Sequence, residues 1–477
     1  MIIELFTILL KTFSIYSLGF LLANLTKIPT KKEIKFGLEH SFSGLLALIF
    51  ISWSSYLIFN NALLNFQYYL YIFLTIFLLT RFKSSILKQY LQLFVIVSTL
   101  FFIVNFFELN TSTNDSIAYF LTEGLDFKNK QFSLLLDFRS IPLIIISRYF
   151  DIININYVAI VPGLVNTLGL ISIHSYLKMN KFYLQNDIFS TIFRFILLFS
   201  PVLIFHFFYL NVHFLFGILL TFILLHQSQN NEFNSIAYVI ALSVFFILRY
   251  EALLLFLLFS FFFSKDKLHK NRIIFKNIII SNIILSITWI EIFSNASTNT
   301  RGIGQVPESF ISILIYQFVF FVIYYILIYK LDNIYIYRTL QIIFVLLVGL
   351  FLYLIGEHMT IFNMFNPSGI WSITPLIFVV VIFYNILKDF YNVITLSMLF
   401  IWLLFALVQT PQLFSGLDNF ITDQIYYFLD NFFGTHTNNE SICRDYKKSS
   451  ACQRTVIHIL IPMYYFSQYD LLMRNKT

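Results

Sequence analysis

Charge is what this chain has least of. Only 12% of its 477 residues are Asp, Glu, Lys or Arg, against the ~25% of an ordinary soluble domain. With so few charges a soluble fold of this size could not cover its own surface. A disordered chain or a coiled coil would need still more. Two cysteines are too few for a disulfide scaffold. With fourteen glycines in all, the chain contains neither a P-loop nor a glycine-rich dinucleotide turn, which disfavours ATP-driven transport by this chain alone. No set of His, Cys, Asp and Glu residues falls at a recognised metal-ligand spacing. Polar–apolar alternation is also missing, which excludes a transmembrane β-barrel.

What is abundant is apolar. Hydrophobic residues make up 58% of the chain, with 61 Phe and 29 Tyr, and they run continuously. This composition defines an all-α polytopic membrane protein. The net charge of +7 is spread over short loops between apolar runs, where it orients a membrane protein and does not call for nucleic acid.

A span needs roughly 20 apolar residues. About fourteen candidates are expected, at 2–25, 38–59, 66–80, 91–107, 157–177, 188–207, 212–225, 236–248, 252–263, 273–293, 310–329, 340–355, 372–387 and 393–408. Several are short and read as half-spans, above all near residue 250. If the N-terminus is outside, the inner loops carry Lys27, Lys31, Lys32, Lys35, Arg81, Lys83, Lys88, Lys178, Lys181, Lys265, Lys267, Lys270, Arg272, Lys276, Lys330, Arg338 and Lys388. The opposite short loops near 60, 210 and 365 carry no basic residue, as the positive-inside rule requires. Glu4 and Lys11 make the first span atypical; each must snorkel or face protein. That span lacks a basic leader and a small-residue cleavage site, so a retained first helix is expected.

This orientation places three long segments outside: 108–156, 294–308 and the tail 409–477. The tail holds Cys443 and Cys452. They are two free thiols, or a local disulfide in an oxidising compartment. For the disulfide, the denatured protein should resist thiol alkylation until reductant is added. Alkylation of both cysteines in unreduced protein would identify free thiols.

The first outer segment is the most informative. Asn114 or Asp115 can cap a short helix whose Ile117, Phe120 and Leu121 share one face. The run Arg139-Ser140-Ile141-Pro142-Leu143 then opens a second amphipathic stretch to Phe150. Both are expected to lie at the membrane surface, as the floor of an active site. Further on come Ser200-Pro201, the turn Tyr209-Leu210-Asn211-Val212-His213, the interruption Leu248-Arg249-Tyr250-Glu251, and Asn366-Pro367 to Thr374-Pro375-Leu376.

Over roughly 91–387 this order resembles the polytopic C-type (GT-C) glycosyltransferases, which use sugars carried on polyprenyl phosphates; relatives include lipid A aminoarabinose transferases and protein O-mannosyltransferases. Against that pattern Ser116 stands where a second acidic residue is usual, and Asn211 and His213 where a turn acid is frequent. The resemblance implies additional N-terminal spans at 1–90, a GT-C-like core at 91–408 and an extracytoplasmic tail at 409–477. It implies Asp115 as general base, and Arg139 and Arg249 as ligands of the donor phosphate. Glu357, His358 and His213 are further candidates for sugar or acceptor binding. No cofactor is implied, beyond a divalent ion that one outer carboxylate could help to hold. The expected partners are a polyprenyl-phosphate sugar donor, a glycan, lipid or protein acceptor, and membrane lipids. The expected place is a bacterial inner membrane with the site facing outward.

Each residue has a plainer reading: Asp115 as a helix N-cap, Arg139 as a snorkelling interfacial arginine, Arg249 as the structural partner of Glu251, and Glu357 and His358 as a helix end. Rival functions are a lipid-linked oligosaccharide flippase or other secondary transporter, and an O-antigen-type polymerase. A transporter of that kind predicts mid-membrane charges and two related halves; no internal symmetry is visible, and the ionisable residues gather at the outer rim.

Overall fold

The computed structural model describes residues 2–25, 37–59, 62–81, 83–107, 109, 140–152, 157–179, 201–227, 235–248, 272–295 and 310–326, with isolated residues between 188 and 343 and at 461, 462 and 465. Among these the chain is helical and has no strand. The principal helices are α1 (Ile2–Leu25), α2 (Glu39–Phe59), α3 (Leu64–Arg81), α4 (Lys83–Phe106), α5 (Ile141–Phe150), α6 (Ile160–Met179), α7 (Pro201–Phe208), α8 (Val212–Gln227), α9 (Ser235–Leu248), α10 (Arg272–Asn295) and α11 (Phe310–Ile323). Among the described residues, four stretches are long and apolar enough to cross a membrane: Ile2–Ala23, Glu39–Phe59, Ser84–Phe106 and Ile160–Lys178. The described part of the chain is thus all-helical, and its long apolar helices are those of a membrane protein.

The helix ends follow the chemistry of the chain. α1 covers the whole of the first expected span, and α8 and α9 also start within a residue of expectation. α4 starts eight residues before the expected 91, because Lys83, Leu87, Lys88 and Gln89 are good helix formers although they are not uniformly apolar. The expected spans at 372–387 and 393–408 lie outside the described residues, as does nearly all of 340–355.

α1 lies at the centre, packed against α2, α3, α4 and α5. α2 continues the bundle to α6 and α9, and α9 leads on to α10 and α11. The α1–α2 crossing is close. A Cβ on Gly19 would collide with the carbonyl oxygen of His40, and one on Gly44 with that of Ile15. Two glycines thus let the backbones touch, in the way small residues bring membrane helices together.

Polar side chains join the helices. Ser17 Oγ lies 2.9 Å from Thr75 Oγ1 and 2.6 Å from Tyr90 Oη, tying α1 to α3 and α4. Trp53 Nε1 donates to Thr288 Oγ1 at 2.8 Å, tying α2 to α10. Ser286 Oγ donates to Gln317 Oε1 at 2.9 Å, tying α10 to α11. In hydrocarbon such groups have no water to turn to, so interhelical partners fix the register of the helices. The opposite surface is greasy. Phe66, Phe73, Phe77, Leu91, Phe94 and Phe102 stand exposed along α3 and α4, a belt suited to lipid.

Candidate functional site

α5 corrects one expectation. A surface-lying amphipathic helix shows one exposed face, yet all 10 residues of α5 are buried. It sits among α1, α2, α3 and α9. The charged residues that flank it, Arg139 and Asp151, suggest a surface, but the bundle supplies a slot in its place. The other expected interfacial helix, after Asp115, lies outside the described residues.

Both ends of α5 are fixed by other helices. At its start, Ser140 is the N-cap residue in extended conformation (φ −64°, ψ 123°), and Pro142 lies in the first turn, where a proline costs no helical hydrogen bond. The Ser140 side chain does not cap its own helix. Its Oγ donates instead to the carbonyl of Leu248 at 3.0 Å. Leu248 is the last residue of α9, so this carbonyl is one of those a helix C-terminus leaves without an internal partner. One hydroxyl therefore joins the beginning of α5 to the end of α9. The chain neighbours of this pair are Arg139 and Arg249, which lie outside the described residues.

At its other end, α5 stops at Asp151, which adopts φ 48° and donates its N–H to Ser147 O. That left-handed conformation is the usual helix stop, tolerated by Asp better than by most residues. The carbonyl of Phe150 accepts a hydrogen bond from Lys11 Nζ of α1 at 2.7 Å. The ammonium also faces the rings of Tyr68 and Tyr149, 5.6 and 6.0 Å from their centroids. Tyr149 Oη in turn donates to Lys11 O at 3.3 Å. Lys11 is only 8% exposed. Of the two ways of housing a lysine in the first span, the fold takes contact with protein.

His213 is buried. It follows a turn closed by Asn211, whose Oδ1 accepts the His213 N–H at 3.1 Å and so caps the start of α8. The His213 ring meets that of His206 edge-on, with centroids 5.7 Å apart, and the His206 ring lies 6.1 Å from that of Tyr209. His206 is a polar residue that the sequence reading passed over. Its only signal was an imidazole inside an apolar run. Asn166 of α6 donates to Phe207 O at 2.9 Å and holds this corner against the bundle. A separate cleft, lined by Gly19, Ala23, Leu46, Phe222 and Ala237, lies towards the C-terminal end of α1 and the start of α9, away from α5.

Asp115, Arg139, Arg249, Glu357, His358, Cys443 and Cys452 lie outside the described residues. Among the described residues no group of three His, Cys, Asp or Glu is placed to hold a metal ion. No protein-family model, no curated protein and no solved structure matches this chain.

Proposed function

We propose that this chain is an integral membrane glycosyltransferase. It moves a sugar from a polyprenyl-phosphate donor to an acceptor hydroxyl on the outer, periplasmic side of a bacterial inner membrane. The observation that carries this reading is the Ser140–Leu248 hydrogen bond. It ties together two segments far apart in sequence, each adjoining an arginine the resemblance assigns to the donor phosphate. In the orientation set by the basic loops, the end of α9 and the start of α3 both face outward, and α5 reaches the first turns of α3 through Tyr149 and Tyr68.

The chemistry balances as an inverting displacement. The acceptor oxygen forms a bond to the anomeric carbon as the bond from that carbon to the phosphate oxygen breaks. The polyprenyl phosphate leaves with the electron pair, and the acceptor proton passes to the Asp115 carboxylate. Arg139 and Arg249 offset the negative charge that grows on the phosphate, where charge-assisted bonds are strongest. Glu357, His358 and His213 remain candidates for sugar and acceptor contacts.

The test is a transfer assay with purified protein in lipid vesicles and a polyprenyl-phosphate sugar. Arg249→Ala should raise the donor KM about 10-fold or more, the cost of one charge-assisted contact, with the acceptor KM unchanged. Unchanged donor dependence removes Arg249 from the site. Absence of transfer by the wild-type protein with every polyprenyl-phosphate sugar tried, alongside movement of the lipid-linked sugar between leaflets, would favour the flippase.

A further inference from the structure

A helix that ends inside a membrane protein has a problem at its C-terminus. Its last carbonyls have no intrahelical donor, and where they are buried their partner must come from elsewhere in the protein. α5 meets this condition: it is 10 residues long, too short to span, and buried throughout. Asp151 N–H satisfies the Ser147 carbonyl. Phe150 O is satisfied from outside the helix, by the ammonium of Lys11 in α1.

We propose that Lys11 is a positioning residue for the candidate site: it caps α5 in trans and holds this short helix at its depth in the bundle. The inference rests on the transferase reading only for its effect on turnover. Lys11 Nζ meets two features of the α5 end region together. These are the Phe150 carbonyl at 2.7 Å and the face of Tyr149. Tyr68 of α3 closes the remaining side. The contact is reciprocal, since Tyr149 Oη bonds back to the Lys11 carbonyl. α5 is therefore a strut: Lys11 fixes its far end, and Ser140 fixes its near end to α9. A strut loosened at Lys11 lets the near end shift, and with it the junction of Ser140 with the end of α9. α1, expected as an accessory helix, thereby becomes part of the machinery that sets the site.

The experiment compares Lys11→Met, Lys11→Arg and wild type as full-length protein in nanodiscs. Methionine keeps the length and apolar stem and removes the donor; arginine keeps a cation. Amide hydrogen exchange is read over 141–150, with α2 as internal reference. Lys11→Met should speed exchange in α5 about 10-fold or more, the weight of a hydrogen bond from a charged group. Exchange in α2 should hold, and Lys11→Arg should restore most of the protection in α5. Wild-type exchange in the methionine variant overturns the proposal, as does equal loosening of α2 and α5. In the transfer assay Lys11→Met should lower kcat more than it changes the donor KM. A loosened α5 with normal turnover overturns the positioning role while leaving the transferase reading intact. A wild-type protein without transferase activity defeats that reading, and the exchange result still decides whether Lys11 holds α5.

Discussion

Asp115→Asn is expected to lower transfer by about 10²–10⁴-fold, the usual worth of a positioned general base, with no loss of folded protein. The substitution separates the two roles available to Asp115. Asparagine caps a helix about as well as aspartate, so a residue that only caps leaves turnover near normal. A base loses its proton acceptor and turnover with it. The measurement is initial rate in the vesicle assay, with size-exclusion profile and thermal midpoint as controls for folding. Near-normal turnover would refute Asp115 as base. A low rate with a lowered midpoint would return the residue to its capping role.

The second large effect concerns the fold. Gly44→Val should cost about 3 kcal/mol or more, at the upper end of overpacking penalties, and much of the protein should be lost to aggregation. The added carbons meet the backbone oxygen of Ile15, which belongs to a helix and cannot rotate away. Gly163→Ala provides the contrast. There the new Cβ meets the ring of Phe208 at 3.0 Å, a side chain that can give way by a few tenths of an ångström. Thermal unfolding in mild detergent checks both variants. A Gly44→Val midpoint within a degree or two of wild type would mean that α1 and α2 do not cross as closely as described.

The fold was legible where apolar runs end sharply. Val212 follows the polar Asn211, Ser235 follows Asn234, and α8 and α9 begin there. It was less legible where polar helix formers extend a span, as at Lys83–Gln89, because hydropathy tracks solvent and not hydrogen bonding. α5 shows a deeper limit. Local charge made 139–151 look interfacial, whereas burial depends on partners that arrive from α1, α2, α3 and α9. The candidate site divides in the same way. His213 was named from its turn, and the fold adds His206 beside it. No periodicity announces a bond between Ser140 and a carbonyl 108 residues away, or between Lys11 and one 139 residues away. Such contacts are written in topology, not in local pattern.

The last of these bonds bears on how the protein is made. At about 5–20 residues per second of synthesis, a ribosome needs roughly 7–28 seconds to travel from Lys11 to Phe150. Throughout that interval the first helix carries an ammonium whose eventual acceptor does not yet exist. Biogenesis must therefore shelter this cation, at the headgroup layer or inside an insertase, until the tenth residue of α5 emerges to receive it.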